Sequence, residues 1–136
     1  MASTRQRLAC FLCTGLIMTL ALPAFAGEQA FPFARDLMLD VAPMRGSKRV
    51  PIIEIAENGA ATIQLWCAST RGQVSVDQDS ITIVADQAPP TQCEPERQTR
   101  DDSLLAALAQ VTGWRRQGDV IEFLGATKLR FRLMTN

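Results

Sequence analysis

The chain has 136 residues, with 14 basic and 14 acidic side chains and no histidine. This length fits one small domain, and the balanced charge argues against a nucleic-acid binder, which needs excess Lys and Arg to neutralise phosphates. The lack of histidine excludes imidazole acid–base catalysis, Ser–His and Cys–His dyads, and every metal site that contains histidine.

A cleavable export signal is predicted at residues 1–26. Two arginines open it, residues 8–22 form an almost uninterrupted apolar run, and Ala24 and Ala26 stand at the positions that signal peptidases require to be small. The apolar run is shorter than the ~20 residues that a membrane span needs. We therefore expect a periplasmic or secreted protein whose mature form does not span a membrane.

Two cysteines, Cys67 and Cys93, remain once this signal is removed. Two cysteines in an exported domain predict one disulfide bond. A redox-active pair is the alternative, but the mature chain has no Cys-x-x-Cys motif and no histidine to stabilise a thiolate.

Short strands dominate the remaining sequence, which is interpreted as a flexible leader over residues 27–36 and one domain over residues 37–136. The dipeptide Asn58-Gly59 predicts a tight hairpin because both residue types tolerate positive φ. Alternating or β-branched apolar residues mark the other strands. The predicted strands are 37–41, 50–56, 61–67, 73–76, 80–84, 114–116, 120–124 and 129–133.

One helix is predicted late in the chain, where Leu104 and Leu108 recur at helical spacing. Asp101, Asp102 or Ser103 is expected to cap its beginning, and Gly113 to end it. Strands and helices do not alternate as a parallel sheet requires. The predicted fold is therefore mostly β (α+β), a curled antiparallel sheet or small open barrel with one helix.

The ordered set of these elements resembles the META domain family, which includes the heat-shock-induced HslJ-like proteins of bacteria. The resemblance rests on Cys67 at a strand end, Gly72 five residues on, the hairpin strands over 74–84, Thr91 with Cys93, the helix over 104–111, the Gly118-Asp119 turn and the strand over 129–133. It implies the curled sheet with one helix, and a non-enzymatic envelope protein associated with stress. It implies no shared catalytic residue.

The chain departs from the family pattern around both cysteines. The first cysteine stands in Trp66-Cys67-Ala68 rather than in Gly-Cys-Asn, and Thr91 lies only two residues before Cys93. These departures leave the expected fold intact, but they remove any inference from a family-specific Asn or Gly at the first cysteine.

A patch for an anionic partner is one candidate site. Acidic residues outnumber basic ones over residues 27–96, and the reverse holds over residues 97–136. Pairing of the last strands would bring arginines onto one outer face, suited to a lipid head group or an acidic protein. The arginines concerned are Arg115, Arg116, Arg130 and Arg132. The alternative is a solvated face that pairs with the acidic half.

An apolar slot between the strands and the helix is a second candidate site, because small barrels hold ligands in such places. The residues expected to line it are Ile83, Leu104, Leu108 and Phe131. Trp66 and Trp114 are interpreted either as ligand-stacking residues or as core residues. Asp77 and Asp79 fall in a predicted turn, where aspartate bonds to its own backbone, so we expect no metal and no cofactor.

The sequence thus favours a non-enzymatic envelope protein that binds a hydrophobic ligand or a partner protein. The alternative is a secreted inhibitor of a lysozyme or protease, which presents the loop over residues 88–96 tethered by Cys93. An enzyme is disfavoured because histidine and a convergent pair of acids are both missing.

Overall fold

The computed structural model describes residues 30–135, so the predicted export signal lies outside the described residues. Within these residues, eight antiparallel strands and one helix follow in the order β1 (Asp36–Leu39), β2 (Ile52–Ile55), β3 (Ala60–Gln64), β4 (Ser69–Asp77), β5 (Ser80–Ala85), α1 (Pro95–Ala109), β6 (Gly113–Gln117), β7 (Val120–Leu124) and β8 (Leu129–Leu133). The prediction of a mostly β fold with one helix is confirmed.

The sheet is a closed barrel, not the curled sheet or open barrel that the sequence predicted. Closure comes from β1, which pairs with β2 on one side and with β8 on the other, in a register that joins Leu37 to Leu133 and Leu39 to Phe131. Strand alternation gives each residue's face but not the partner of a terminal strand, which is why closure could not be predicted.

The helix packs beside the shortest ladder of the barrel. The strands β5 and β6 share only the Ser80–Gly113 pair. Two flanking backbone hydrogen bonds support this seam, from the Ile81 amide to the Thr112 carbonyl (3.1 Å) and from the Trp114 amide to the Asp79 carbonyl (2.8 Å). The helix lies between these strands in the chain and contacts β5.

Inward-facing side chains fill the barrel. Alternating residues of the strands are buried, and Phe123 and Phe131 are the largest side chains without exposed surface. Their rings lie 5.0 Å apart. Leu104 and Leu108 of α1 belong to the same cluster. Each such side chain contributes roughly 1.5–3 kcal/mol through burial.

The helix begins at Pro95, several residues before the expected caps, and ends at Ala109 rather than at Gly113. Proline suits the first position of a helix because its missing N–H has no partner there in any case. Glu94 occupies the N-cap position without a side-chain capping bond. The expectation that Asp101 caps the helix is therefore wrong, and Asp101 lies in its interior. No helix of residues 30–135 has the length and apolar character to cross a bilayer.

Residues 30–36, expected to belong to a flexible leader, lie against the barrel. Phe31 is buried and meets the edge of the Trp114 ring at a centroid distance of 4.9 Å. The Arg116 guanidinium donates to the Ala30 carbonyl at 3.1 Å, and Asp36 already belongs to β1. Aromatic packing thus joins this segment to the domain.

Candidate functional site

The four residues of the predicted slot lie in the packed core. Ile83 and Leu104 are each 5% exposed, and Leu108 and Phe131 have no exposed surface. Of these four, Leu104 lines one of the larger clefts among the described residues. The four side chains therefore belong to the packed core of the barrel. The cleft lies at the surface of the protein, next to Leu104.

This cleft is a groove of about 430 Å³ between α1 and the ends of β1 and β8. Residues 100–107 of the helix form one wall, and residues 39–41 and 127–130 form the other. Its apolar lining consists of Leu39, Val41, Trp66, Leu104, Ala107 and Leu129. The volume falls in the range of ~300–1,000 Å³ that is typical of small-molecule sites.

Trp66 is 7% exposed and contributes to the groove wall. Its Nε1–H is buried and has no acceptor among residues 30–135. A buried donor without a partner lowers the stability of the folded state by about 1–3 kcal/mol, so most buried donors in folded proteins are paired. Trp66 is an exception to this rule.

The carboxylate of Asp101 holds the segment that carries Trp66. Asp101 is 3% exposed, and its Oδ1 accepts the backbone N–H of Trp66 at 2.8 Å. Its Oδ2 accepts the N–H groups of Cys67 (3.0 Å) and Ala68 (3.1 Å). Sequence reasoning missed this role, and the one available signal was its position three residues before Leu104 on the same helical face.

A disulfide bond between Cys67 and Cys93 anchors the same region, with 6.0 Å between the two Cα atoms. It connects the segment between β3 and β4 to the loop that precedes Pro95. The other end of this loop is held by the Thr70 hydroxyl, which donates to the Asp86 carbonyl at 2.9 Å. Residues 89–92 between these anchors are exposed.

Cationic side chains surround the groove. Arg100, Lys128 and Arg130 contribute to its lining together with one carboxylate, Asp40. Asp40 accepts from Arg132 Nε at 2.9 Å and lies 3.1 Å from Arg130 Nε. The hydrogen bond from Arg132, with the positive charges of both arginines, lowers the pKa of Asp40 below its ordinary value.

Three of the four arginines of the predicted patch share an outer face of the barrel. Arg115 and Arg130 flank Glu122 across neighbouring strands, and Arg132 follows Arg130 on the same face of β8. Arg115 donates to Glu122, and this hydrogen bond is the main cause of the lowered pKa of that carboxyl. Because Asp40 pairs with Arg130 and Arg132, these cations contact acids, as the alternative interpretation of a solvated, paired face expects.

Arg116 is separated from the other three. It is half-buried on the opposite face of β6, where its guanidinium donates to the carbonyls of Gly118 (2.9 Å) and Ala30 (3.1 Å). Strand alternation predicts this separation, since neighbouring residues of a strand point to opposite faces.

The acidic pair Asp77 and Asp79 belongs to the β4–β5 hairpin. Asp77 pairs with Ser80, Gln78 has a φ of 54°, and the Gln78 carbonyl accepts the indole N–H of Trp114 at 2.7 Å. In the part of the chain that the structure covers, no three Cys, Asp or Glu side chains are grouped so as to hold a metal ion.

Comparisons with known proteins agree with this architecture. The family model described as "META domain" matches residues 35–135. Two structures determined by NMR share the fold: one, from Burkholderia xenovorans, has a TM-score of 0.62 at 13% identity over 85% of this chain and 100% of its own. The other has a TM-score of 0.59 at 14% identity, over 74% and 89% respectively. No curated protein matches the sequence.

Proposed function

The chain belongs to the META domain family, and from this premise we propose that it is a non-enzymatic, exported envelope protein that binds a hydrophobic ligand in the groove between α1 and β8. The observation that carries the proposal is an apolar-walled groove at the surface of a barrel whose interior is packed. Because side chains fill the interior of the barrel, a ligand has to bind at its surface.

Binding rather than catalysis fits the groups that line the groove. The Ser103 hydroxyl donates to the Thr99 carbonyl at 2.8 Å, so its proton is directed to the helix backbone and not to a general base. The groove carboxylate, Asp40, pairs with two arginines. These groups suit the recognition of charge better than acid–base chemistry.

Export is supported by the predicted signal over residues 1–26 and by the Cys67–Cys93 bond, because structural disulfides persist in oxidising compartments. A role in envelope stress is proposed on the family resemblance alone.

The groove is tested by titrating the full chain, purified with its disulfide intact, with the neutral apolar fluorophore N-phenylnaphthylamine. Binding in the groove shifts the indole N–H resonance of Trp66 and leaves that of Trp114 unchanged. Ala107→Trp fills the groove and should abolish binding, whereas Ala106→Trp places the same side chain on the exposed neighbouring position and should not. Equal binding by the two variants, or none by the parent chain, contradicts the proposal.

An inhibitor of a lysozyme or secreted protease is the second candidate function. The observation that favours it is the exposed loop over residues 89–92, held at Asp86 by Thr70 and at Cys93 by the disulfide. Inhibition of such an enzyme by the parent chain, and its loss on Pro89→Gly/Pro90→Gly substitution, would favour this function over ligand binding.

A further inference from the structure

We propose that the ligand of the groove is a single-chain anionic amphiphile, an acyl chain that ends in a carboxylate, with its charge held by Arg100, Lys128 and Arg130. This inference rests on the proposed function of the groove and names the class of ligand that it takes.

The charge of the groove lining selects the head group. Arg100, Lys128 and Arg130 line the groove together with one carboxylate, Asp40, which pairs with Arg130 and with Arg132 outside the lining. The lining therefore has an excess of positive charge. These cations attract the carboxylate of a ligand, whereas they repel a cationic head group.

The cations are available to a ligand because their present contacts are weak. Lys128 Nζ lies 3.6 Å from Glu122, and Arg100 lies 3.8 Å from Glu96. The side chains of both cations are more than half exposed. Exposed ion pairs of this kind contribute little, so a ligand carboxylate can compete for either cation.

The apolar part of the groove selects a chain of methylene groups. Val41 is 44% exposed, although large hydrophobic side chains of this domain are otherwise mostly buried. It lies in the groove with Leu104 and Leu129, so an acyl chain would cover apolar surface that water now contacts.

The test compares three amphiphiles of the same chain length, each below its micellar concentration: dodecanoate, the neutral dodecyl maltoside and the cation dodecyltrimethylammonium. The full chain with its disulfide intact is titrated by calorimetry, and the Trp66 indole resonance reports on the groove. We expect dodecanoate to bind about tenfold more tightly than the neutral amphiphile, and the cation to bind least.

The double variant Arg100→Gln/Lys128→Gln should reduce dodecanoate affinity by about tenfold and leave dodecyl maltoside affinity unchanged. Both side chains are exposed, so these substitutions should not unfold the protein. Lys48→Gln/Arg71→Gln removes the same two charges from exposed residues outside the groove lining, so it is the matched control and should change neither affinity.

The outcomes separate this inference from the proposed function. Equal groove binding of dodecanoate and dodecyl maltoside overturns the anionic ligand but leaves the groove as a hydrophobic site. Loss of dodecanoate binding in Lys48→Gln/Arg71→Gln would show that the overall positive charge of the protein, not the groove lining, holds the anion, and would overturn the inference. No shift of the Trp66 resonance with any amphiphile contradicts the proposed function itself.

Discussion

The buried carboxylate of Asp101 shows how a single residue can join a helix to a distant turn. It lies mid-helix, where aspartate has no advantage in propensity, and accepts three backbone N–H groups from residues 66–68. These donors would otherwise be buried without partners at the end of β3. The residue therefore positions Trp66 in the groove wall and aligns Cys67 for its disulfide.

Asp101→Asn should destabilise the fold by about 2–3 kcal/mol, because the amide NH₂ must face at least one of the backbone donors and the charge-assisted bonds are lost. The free energy of unfolding, measured by chemical denaturation, checks this. Asp102→Asn is the control, since Asp102 is exposed, and it should change stability by less than about 0.5 kcal/mol. Equal losses of stability in the two variants would show that the hydrogen bonds from residues 66–68 to Asp101 contribute nothing to stability.

Gly59 is required for the β2–β3 hairpin for two separate reasons. Its φ is +83°, and a Cβ atom there would collide with the Val74 carbonyl oxygen. Gly118 also has positive φ (+62°) but faces open space. Gly59→Ala should therefore cost about 1–3 kcal/mol more than Gly118→Ala. Thermal or denaturant unfolding of both variants measures this difference in stability. Similar losses of stability in the two variants would mean that the positive φ alone disfavours alanine, and that the contact with the Val74 carbonyl oxygen has no effect.

At the scale of elements, the disulfide links the β3–β4 segment to the entrance of α1. The loop that it closes has a sequence separation of 26, for which the chain-entropy model gives about 3.5 kcal/mol of stabilisation. Asp101 and the disulfide act on the same few residues, so a covalent bond and a set of hydrogen bonds both hold the start of the helix to the β3–β4 segment.

The Cys67→Ser/Cys93→Ser variant should therefore be less stable than the parent chain by about 3.5 kcal/mol. It should still form the closed barrel, because the pairing of the strands does not depend on the disulfide. Denaturant unfolding of this variant should coincide with that of the parent chain in dithiothreitol, which is the control. Unchanged stability of the reduced parent chain would contradict this account.

For the whole molecule, ion pairs on the outer face connect neighbouring strands of the barrel, including the first and the last. Asp40 follows β1 and pairs with Arg130 and Arg132 of β8, and Glu122 pairs with Arg115 across β6 and β7. The pKa of each carboxyl is lowered, first by its arginine hydrogen bond. A lowered folded-state pKa means stability that is complete above roughly pH 5 and is lost as pH falls through the lowered pKa.

Asp40→Asn/Glu122→Gln should accordingly be less stable than the parent chain at pH 7, and the difference should disappear towards pH 2. Added salt should shrink the difference at pH 7, because these pairs are exposed to solvent. Denaturant unfolding of both proteins between pH 2 and pH 7 tests this prediction. A difference in stability that does not change with pH would contradict it.

The groove is also a property of the whole molecule, because its walls come from four separated parts of the chain: residues 39–41, Trp66, residues 100–107 and residues 127–130. None of these segments has a binding motif of its own. Their meeting depends on barrel closure by β1 and β8 and on the position of α1 beside the β5–β6 seam.

Local patterns predicted the strands, the hairpin at Asn58-Gly59 and the resemblance to the family, and once the predicted export signal was set aside only Cys67 and Cys93 remained to pair. Each of these signals acts over a few residues or follows from composition. Tertiary contacts were needed to show that the sheet closes, that Asp101 accepts backbone N–H groups of the β3–β4 segment rather than capping the helix, and that Arg116 lies apart from the outer patch. These features depend on contacts between residues far apart in sequence, whose pairing is set by the packing of the whole barrel and is not encoded in any local pattern.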